Sequence, residues 1–448
     1  MFGNDKNILI LQIFQKKGGI HMNIIHTGDW HLGKTIEGHS RLPEQELFLN
    51  DLVSICEERQ PDMIIIAGDI YDTFNPPAAA EQLFYSTVKK MSRNGDCMVV
   101  VIAGNHDNPE RLTAATSVLA RHSVVIAGQP DDVLPIGKYG NNFIFRSGSG
   151  YIQGKIHGEK FDMILLPFPS ERRMGHSILS ISADETTRAK EFEVYIKDWF
   201  AKRTKCFRKD SVHLIASHIF VMGSVEEGSE RSVQLGGSYL VSAKVFPNNA
   251  DYIALGHVHK PQVVPGLHKA RYSGSPIQYN QREANITKQV LFVSVSAGKD
   301  TSVESVSLPA YKPVETWKCD SVEEAIAKCA ENAEKECWVY LEVNTDDFIR
   351  EDDIKTMKSL KNDILSIMPI YPSVENDKYP YGKPQTDEVA RGSGNREYGC
   401  RRLREKLPNF SGVSFFRVGN SSNRVNAFHI CVYVHLCVVP RYIASQHP

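Results

Sequence analysis

A chain of 448 residues is long enough for two or three domains, each burying a core of its own. Its 42% hydrophobic and 23% charged content is that of an ordinary globular protein. This excludes wholesale disorder, a collagen-like fibre and a multi-span membrane protein. The formal net charge is −1, but from Lys378 onward 11 Lys/Arg stand against 4 Asp/Glu, so a basic excess collects in the tail.

The first 21 residues precede any core element. Lys16-Lys17-Gly18-Gly19-Ile20-His21 can be encoded with a bacterial ribosome-binding sequence just ahead of Met22. Residues 1–21 are therefore expected to be a mis-called leader. The apolar run Ile8 to Phe14 is too short for a membrane span. A strand is expected at Met22–Thr27, then a helix over about Glu44 to Glu58 with Leu47, Leu49, Leu52, Val53 and Ile55 as its stripe. Apolar runs at Met63–Ala67 and Met98–Ala103 flank a second helix near Ala78 to Met91. Short apolar runs alternating with helices indicate buried strands in an α/β or layered α+β domain.

The middle section is less regular. Strands are expected at Asn142–Arg146, Phe161–Leu166, Val212–Ser217, Tyr252–Leu255, Gln289–Val295 and Ser302–Leu308, with a helix at Asp184–Lys205. Pro309 to Pro313 punctuates the chain as a domain boundary. Beyond it, Val314–Lys318, Val322–Asn332, Trp338–Val343 and Glu351–Ser359 predict a small β-α-β-α module. The rhythm fails after about Val374, and Ala427 to Val439 carries no charge, so residues 375–448 read as an atypical tail, frameshifted or truncated. Nine cysteines without a C-x-x-C pair make no disulfide framework and favour a reducing cytoplasm.

The chemistry lies in the residues just past each strand. Asp29-Trp30-His31 succeeds the first, Gly68-Asp69-Ile70-Tyr71-Asp72 the second and Gly104-Asn105-His106-Asp107 the third. Later strands end at His218 and at Gly256-His257-Val258-His259. Carboxyl ends of strands share one edge, where layered α/β folds place ligands. Carboxylate, imidazole and amide oxygen together suit two divalent ions such as Mn²⁺, Fe²⁺ or Zn²⁺ better than an all-oxygen Mg²⁺ site. On an extended segment, Asp-x-His presents both side chains to one side, so both can bind one ion. His-x-His either does the same or is split between two ions by a turn. A shared carboxylate must bridge, because two close cations repel.

These five blocks, in this order, resemble the calcineurin-like metallophosphoesterases, whose pattern is DxH, GDxxD, GNHD/E, a lone His and GHxH. Within that superfamily the words Asp29-Trp30-His31-Leu32-Gly33-Lys34, His218-Ile219-Phe220-Val221-Met222-Gly223, Ala254 to His259 and Arg271-Tyr272-Ser273-Gly274-Ser275-Pro276 resemble the SbcD family of nuclease subunits. The likeness covers about Met22 to Ile370. It implies a β-sandwich flanked by helices over 22–308, with a small α+β capping domain over 309–374. It implies that Asp29, His31 and His259 hold one metal, that Asn105, His218 and His257 hold the other, and that Asp69 bridges. His106 is implied as the catalytic, non-ligand histidine, with Asp72 and Asp107 as acids that orient the ligands. Mn²⁺ is the implied metal. The implied activity is a 3′→5′ exonuclease on double-stranded DNA ends and an endonuclease on single strands and hairpins. Its implied setting is repair, recombination and replication, as a homodimer with an SbcC-type ATPase subunit. The chain has no Gly-x-x-x-x-Gly-Lys-Ser/Thr loop of its own for ATP.

Taken singly, each block has a plainer reading. A lone His218 is a core histidine, Trp30 and Phe74 are packing residues, and Ser273 to Pro276 is a turn at the site rim. The remaining histidines (His26, His39, His122, His157, His176, His213 and His268) read as structural or solvated. Two other functions stay open on residues alone: a phosphatase with the same centre, and a scaffold that tethers DNA ends without cutting.

Overall fold

The strand Met22–Thr27 lies inside a six-stranded sheet, and its neighbours decide where the later loops go. On one side it pairs antiparallel with Gln289–Val295, which in turn pairs with Ser302–Ser307. On the other it runs parallel to Met63–Ile66, then Met98–Ile102, then Val124–Ala127. The computed structural model describes residues 21–174, 184–226 and 240–371. The expected leader, apart from His21, and the expected tail lie outside the described residues.

A second sheet of eight strands faces the first. Its central strands Glu159–Leu166, Val212–His218, Tyr252–Gly256 and Leu267–Tyr272 are parallel. Gln262–Val264 pairs antiparallel beyond them on one side, and Tyr151–Ile156, Asn142–Gly148 and Gly137–Tyr139 continue the sheet on the other. Met63 and Ile65 join Met163, Leu165, Leu214 and Ala216 in the core between the sheets. Ile64 and Ile66 point the opposite way, into the layer under the helices Leu42–Arg59 and Ala78–Met91. Alternate residues thus bury both faces, which is why the strand reads as one unbroken apolar run. The helix Glu185–Arg203 covers the outer face of the second sheet through Phe192, Ile196 and Phe200. The result is the layered sandwich flanked by helices that the sequence suggested.

Three features differ from expectation. The helix Leu42–Arg59 buries Phe48, Leu49, Leu52 and Cys56, whereas Leu47 is 52% exposed. Apolar residues extend beyond the covered stripe, so their spacing overstates which face is inside. Next, the module after Pro313 is β-α-β-α-β: Val314–Cys319, Trp338–Asn344 and Ile364–Ile370 form an all-parallel sheet with the helices Val322–Glu331 and Glu351–Leu360. Its last strand carries Pro369, which argues against a strand by pattern but is tolerated at a sheet edge. Finally, Ser273 and Ser275 are fully buried, so their turn is not a rim.

The module belongs to the same compact unit as the sandwich. Trp338 Nε1 donates to Glu44 Oε1 at 2.7 Å, and the Val314 amide donates to Gln278 Oε1 at 2.8 Å. Among the described residues no helix is long and apolar enough to cross a membrane.

Candidate metal centre

Parallel register brings the loops together. Thr27 pairs with Ile66, Ile66 with Val101 and His218 with Gly256, so these strands end level. The first two loops then zip through backbone bonds, Asp29 N to Gly68 O and His31 N to Asp69 O, both 2.9 Å. The two sheets meet where the His257 amide donates to Asp29 Oδ1 at 2.9 Å. The extended geometry expected for Asp-x-His does not occur. Asp29, His31, Asp69 and His257 all have positive φ, at 52°, 45°, 48° and 99°. Left-handed turns at non-glycine residues cost about 1–3 kcal/mol each and persist only where the surroundings enforce them. Here they swing side chains from neighbouring strands into one buried point.

Two adjacent groups of donors result. Asp29, His31 and His259 offer atoms within 4.8 Å of one another, and so do Asp69, His218 and His257. The turn therefore splits His257 from His259. Asn105 Oδ1 sits 2.9 Å from His218 Nε2 and 3.0 Å from His257 Nδ1, which adds it to the second group. Asp69 Oδ2 stands between the groups, 3.6 Å from His31 Nε2 and 3.5 Å from His218 Nε2. His106 lies near His31 and Asp69, its amide bound to Asp69 Oδ1 at 2.9 Å. Its ring Nδ1 is 2.6 Å from the Asp72 carbonyl oxygen.

The electrostatics suit cations. Burial pushes the Asp29 carboxyl up to about 6 and holds His31 and His257 down to about 3, so both rings are neutral with lone pairs free. Burial opposes charge on His218, but the Asp69 and Asp29 carboxylates lift it to about 9. Burial likewise opposes charge on Asp69, yet His218 and His106 hold its carboxyl well below the usual range. Asp29 Oδ2 is buried without a hydrogen-bond partner. His31 Nε2 and His259 Nε2 face each other at 3.1 Å, while each Nδ1 looks at a carboxylate: Asp72 at 3.5 Å and Glu283 at 3.2 Å. Two ring nitrogens 3.1 Å apart and an orphan carboxylate oxygen are donors that a bound cation would satisfy.

The calcineurin-like phosphoesterase pattern matches residues 22–261. The chain is 37% identical over 359 residues to the SbcD subunit of nuclease SbcCD from Bacillus subtilis (strain 168), spanning 80% of this chain and 88% of that protein. The chain belongs to the calcineurin-like phosphoesterases, in the SbcD family. It is also 30% identical over 339 residues to the protein of the same name in Escherichia coli (strain K12), 74% of this chain and 80% of that one. A third relative so named, from Rhodobacter capsulatus, is 31% identical over 288 residues, 62% of this chain and 67% of its own length.

Around this phosphoesterase centre the remaining acids bind protein. Asp107 accepts the amides of Gly104, Ile70 and Tyr71 at 2.7–3.1 Å, which ties the second and third loops together. Asp72 accepts from Lys34 Nζ at 2.8 Å. Trp30 lies fully buried beneath the first loop against Phe48 and Phe84, so it cannot stack on a base. Phe74 is 48% exposed. Sequence reasoning missed three contributors. Arg173 donates to the carbonyl oxygens of Gly104 and Asp107 at 2.9 and 2.8 Å. Gln45 Nε2 donates to the His31 carbonyl at 2.8 Å. Glu283 backs His259. None lies in a motif, and Gln281-Arg282-Glu283 reads locally as an exposed polar turn.

One backbone position shows how closely the sheets approach at this centre. A Cβ on Gly256 would lie 1.8 Å from the Ala67 carbonyl oxygen, which is backbone and cannot swing away. Gly256→Ala is therefore expected to destabilise the fold by about 3 kcal/mol or more. Urea unfolding of the two proteins measures this.

Proposed function

We propose that the chain is the Mn²⁺-dependent DNA nuclease subunit of an ATPase–nuclease complex. It cuts double-stranded ends as a 3′→5′ exonuclease and single strands or hairpins as an endonuclease, in repair, recombination and replication. The observation that carries the reading is the convergence of Asp29, His31, Asp69, Asn105, His218, His257 and His259 on one buried point. Likeness to nuclease subunits over 80% of the chain supports the substrate class.

In this reading Asp29, His31 and His259 hold one cation, Asn105, His218 and His257 hold the other, and Asp69 bridges. Bound divalent cations supply charge neutralisation on phosphate and activation of water near neutral pH. Asp72 and Lys34 fix the His31 side of the cluster. With Nδ1 of His106 given to the Asp72 carbonyl, its Nε2 is the atom left to pass a proton to the leaving 3′ oxygen. The module at 309–374 acts as a cap that guides DNA toward the centre. A homodimer joined to an SbcC-type ATPase completes the assembly. The cytoplasmic setting agrees with free thiols at Cys56, Cys97, Cys206, Cys319, Cys329 and Cys337.

The test uses the purified full chain on hairpin DNA, duplex ends and an aryl phosphate. Chelation with EDTA is expected to abolish DNA cleavage, and added Mn²⁺ to restore it. DNA affinity should fall steeply with salt, since phosphate contacts carry it. Hydrolysis of the aryl phosphate without DNA cleavage would return the phosphatase reading. Tight DNA binding without cleavage under any metal would return the scaffold.

A further inference from the structure

We propose that Glu283 is a positioning residue of the metal centre, holding His259 with Nδ1 protonated and Nε2 aimed at Asp29 and His31. The proposal rests on the two-cation reading and names a residue outside every sequence motif of the site.

Glu283 is fully buried, one short turn beyond Asn280, whose Oδ1 accepts the Glu283 amide at 3.0 Å. Its Oε1 lies 3.2 Å from His259 Nδ1. Its Oε2 faces the other way, 2.5 Å from Lys288 Nζ. Lys288 is itself buried, and its ammonium also donates to Ser275 Oγ at 2.8 Å and to the His259 carbonyl at 3.3 Å. The Ser275 amide reaches the same carbonyl at 3.1 Å. The ring and the backbone of His259 are thus gripped by one cluster.

Stability alone gives a weak reason for such a cluster. A buried ion pair contributes little to folding beyond what well-packed apolar residues of the same volume would. Geometry gives a better one. A carboxylate behind a ligating histidine fixes its tautomer and ring plane and raises its basicity, and losing it typically weakens metal affinity about 10–100-fold. Lys288 neutralises the buried charge from the Oε2 side and lets Oε1 face the ring. Ser275 explains why the buried Ser273 to Pro276 segment packs behind the centre.

The test compares two charge-neutral double variants of the full chain. Glu283→Leu with Lys288→Met removes the acceptor, while Glu283→Gln with Lys288→Met keeps an oxygen facing His259. Binding is read by Mn²⁺ electron paramagnetic resonance and by the visible spectrum of added Co²⁺. Wild-type protein is expected to take two ions. The leucine variant should bind one of them about 10–100-fold more weakly, and the glutamine variant should recover most of that loss. Equal, wild-type-like affinity in the leucine variant, or equal defects in both, would overturn the proposal. Nitrogen-15 histidine spectra of metal-free wild-type protein, with His259→Gln for assignment, give a readout independent of variant folding. An Nδ1–H tautomer at His259 is expected, and an Nε2–H tautomer would overturn the assignment. If wild-type protein took up fewer than two ions, the two-cation reading itself would fail, and the tautomer would still decide the role of Glu283.

Discussion

Asp69→Asn is expected to reduce DNA cleavage by at least about 10³-fold and to lower the metal content of the chain from two ions to one or none. The substitution keeps the shape and the Oδ1 acceptor for the His106 amide, 2.9 Å away, and replaces the charged Oδ2 by a neutral, donating NH2 group. That charge sits between His31 and His218, within 3.6 Å of both, so it serves both halves of the centre. Metal-derived stabilisation of a phosphoryl transition state amounts to several kcal/mol, and about 1.4 kcal/mol is a factor of ten. Atomic absorption for metal content, with single-turnover cleavage of hairpin DNA, checks both halves. A variant that kept two ions and cut at more than a tenth of the normal rate would remove Asp69 from the bridging role.

His106→Gln should separate chemistry from metal binding. His106 lies close enough to His31 and Asp69 to be a third ligand, so the distinction is a real one. The contact between its Nδ1 and the Asp72 carbonyl, 2.6 Å, commits one face of the ring to the protein and favours proton transfer by the other. Loss of a general acid costs roughly 10²–10⁴-fold in turnover. The expected result is a fall of that size in kcat, little change in KM, and two ions still bound. Loss of an ion would make His106 a ligand, and near-normal turnover would refute the acid role.

The elements legible in the sequence share a property. Met63–Ile66 and Met98–Ile102 are apolar on both faces because both faces are covered, so they stand out as unbroken runs. Two strands that escaped notice lack this: Tyr151–Ile156 mixes Gln153 and Gly154 into its run, and Ile364–Ile370 carries a proline. The helix Leu42–Arg59 is legible in its place along the chain but not in its facing, since Leu47 is apolar and exposed.

At the centre, the sequence by itself determined which residue types stand at the strand ends and in what order. Those are local properties: a short apolar run, a glycine turn, and a donor side chain after it. Only the tertiary structure decided which atoms meet. Sheet order and register set His218 beside Asn105, parted His257 from His259, bent Asp29 and His31 into left-handed turns, and buried Trp30 under the loop. Glu283 lies 24 residues beyond His259 in the chain yet within 3.2 Å in space. No local pattern encodes such a contact, because it is the packing of two sheets and a turn that brings the two groups together.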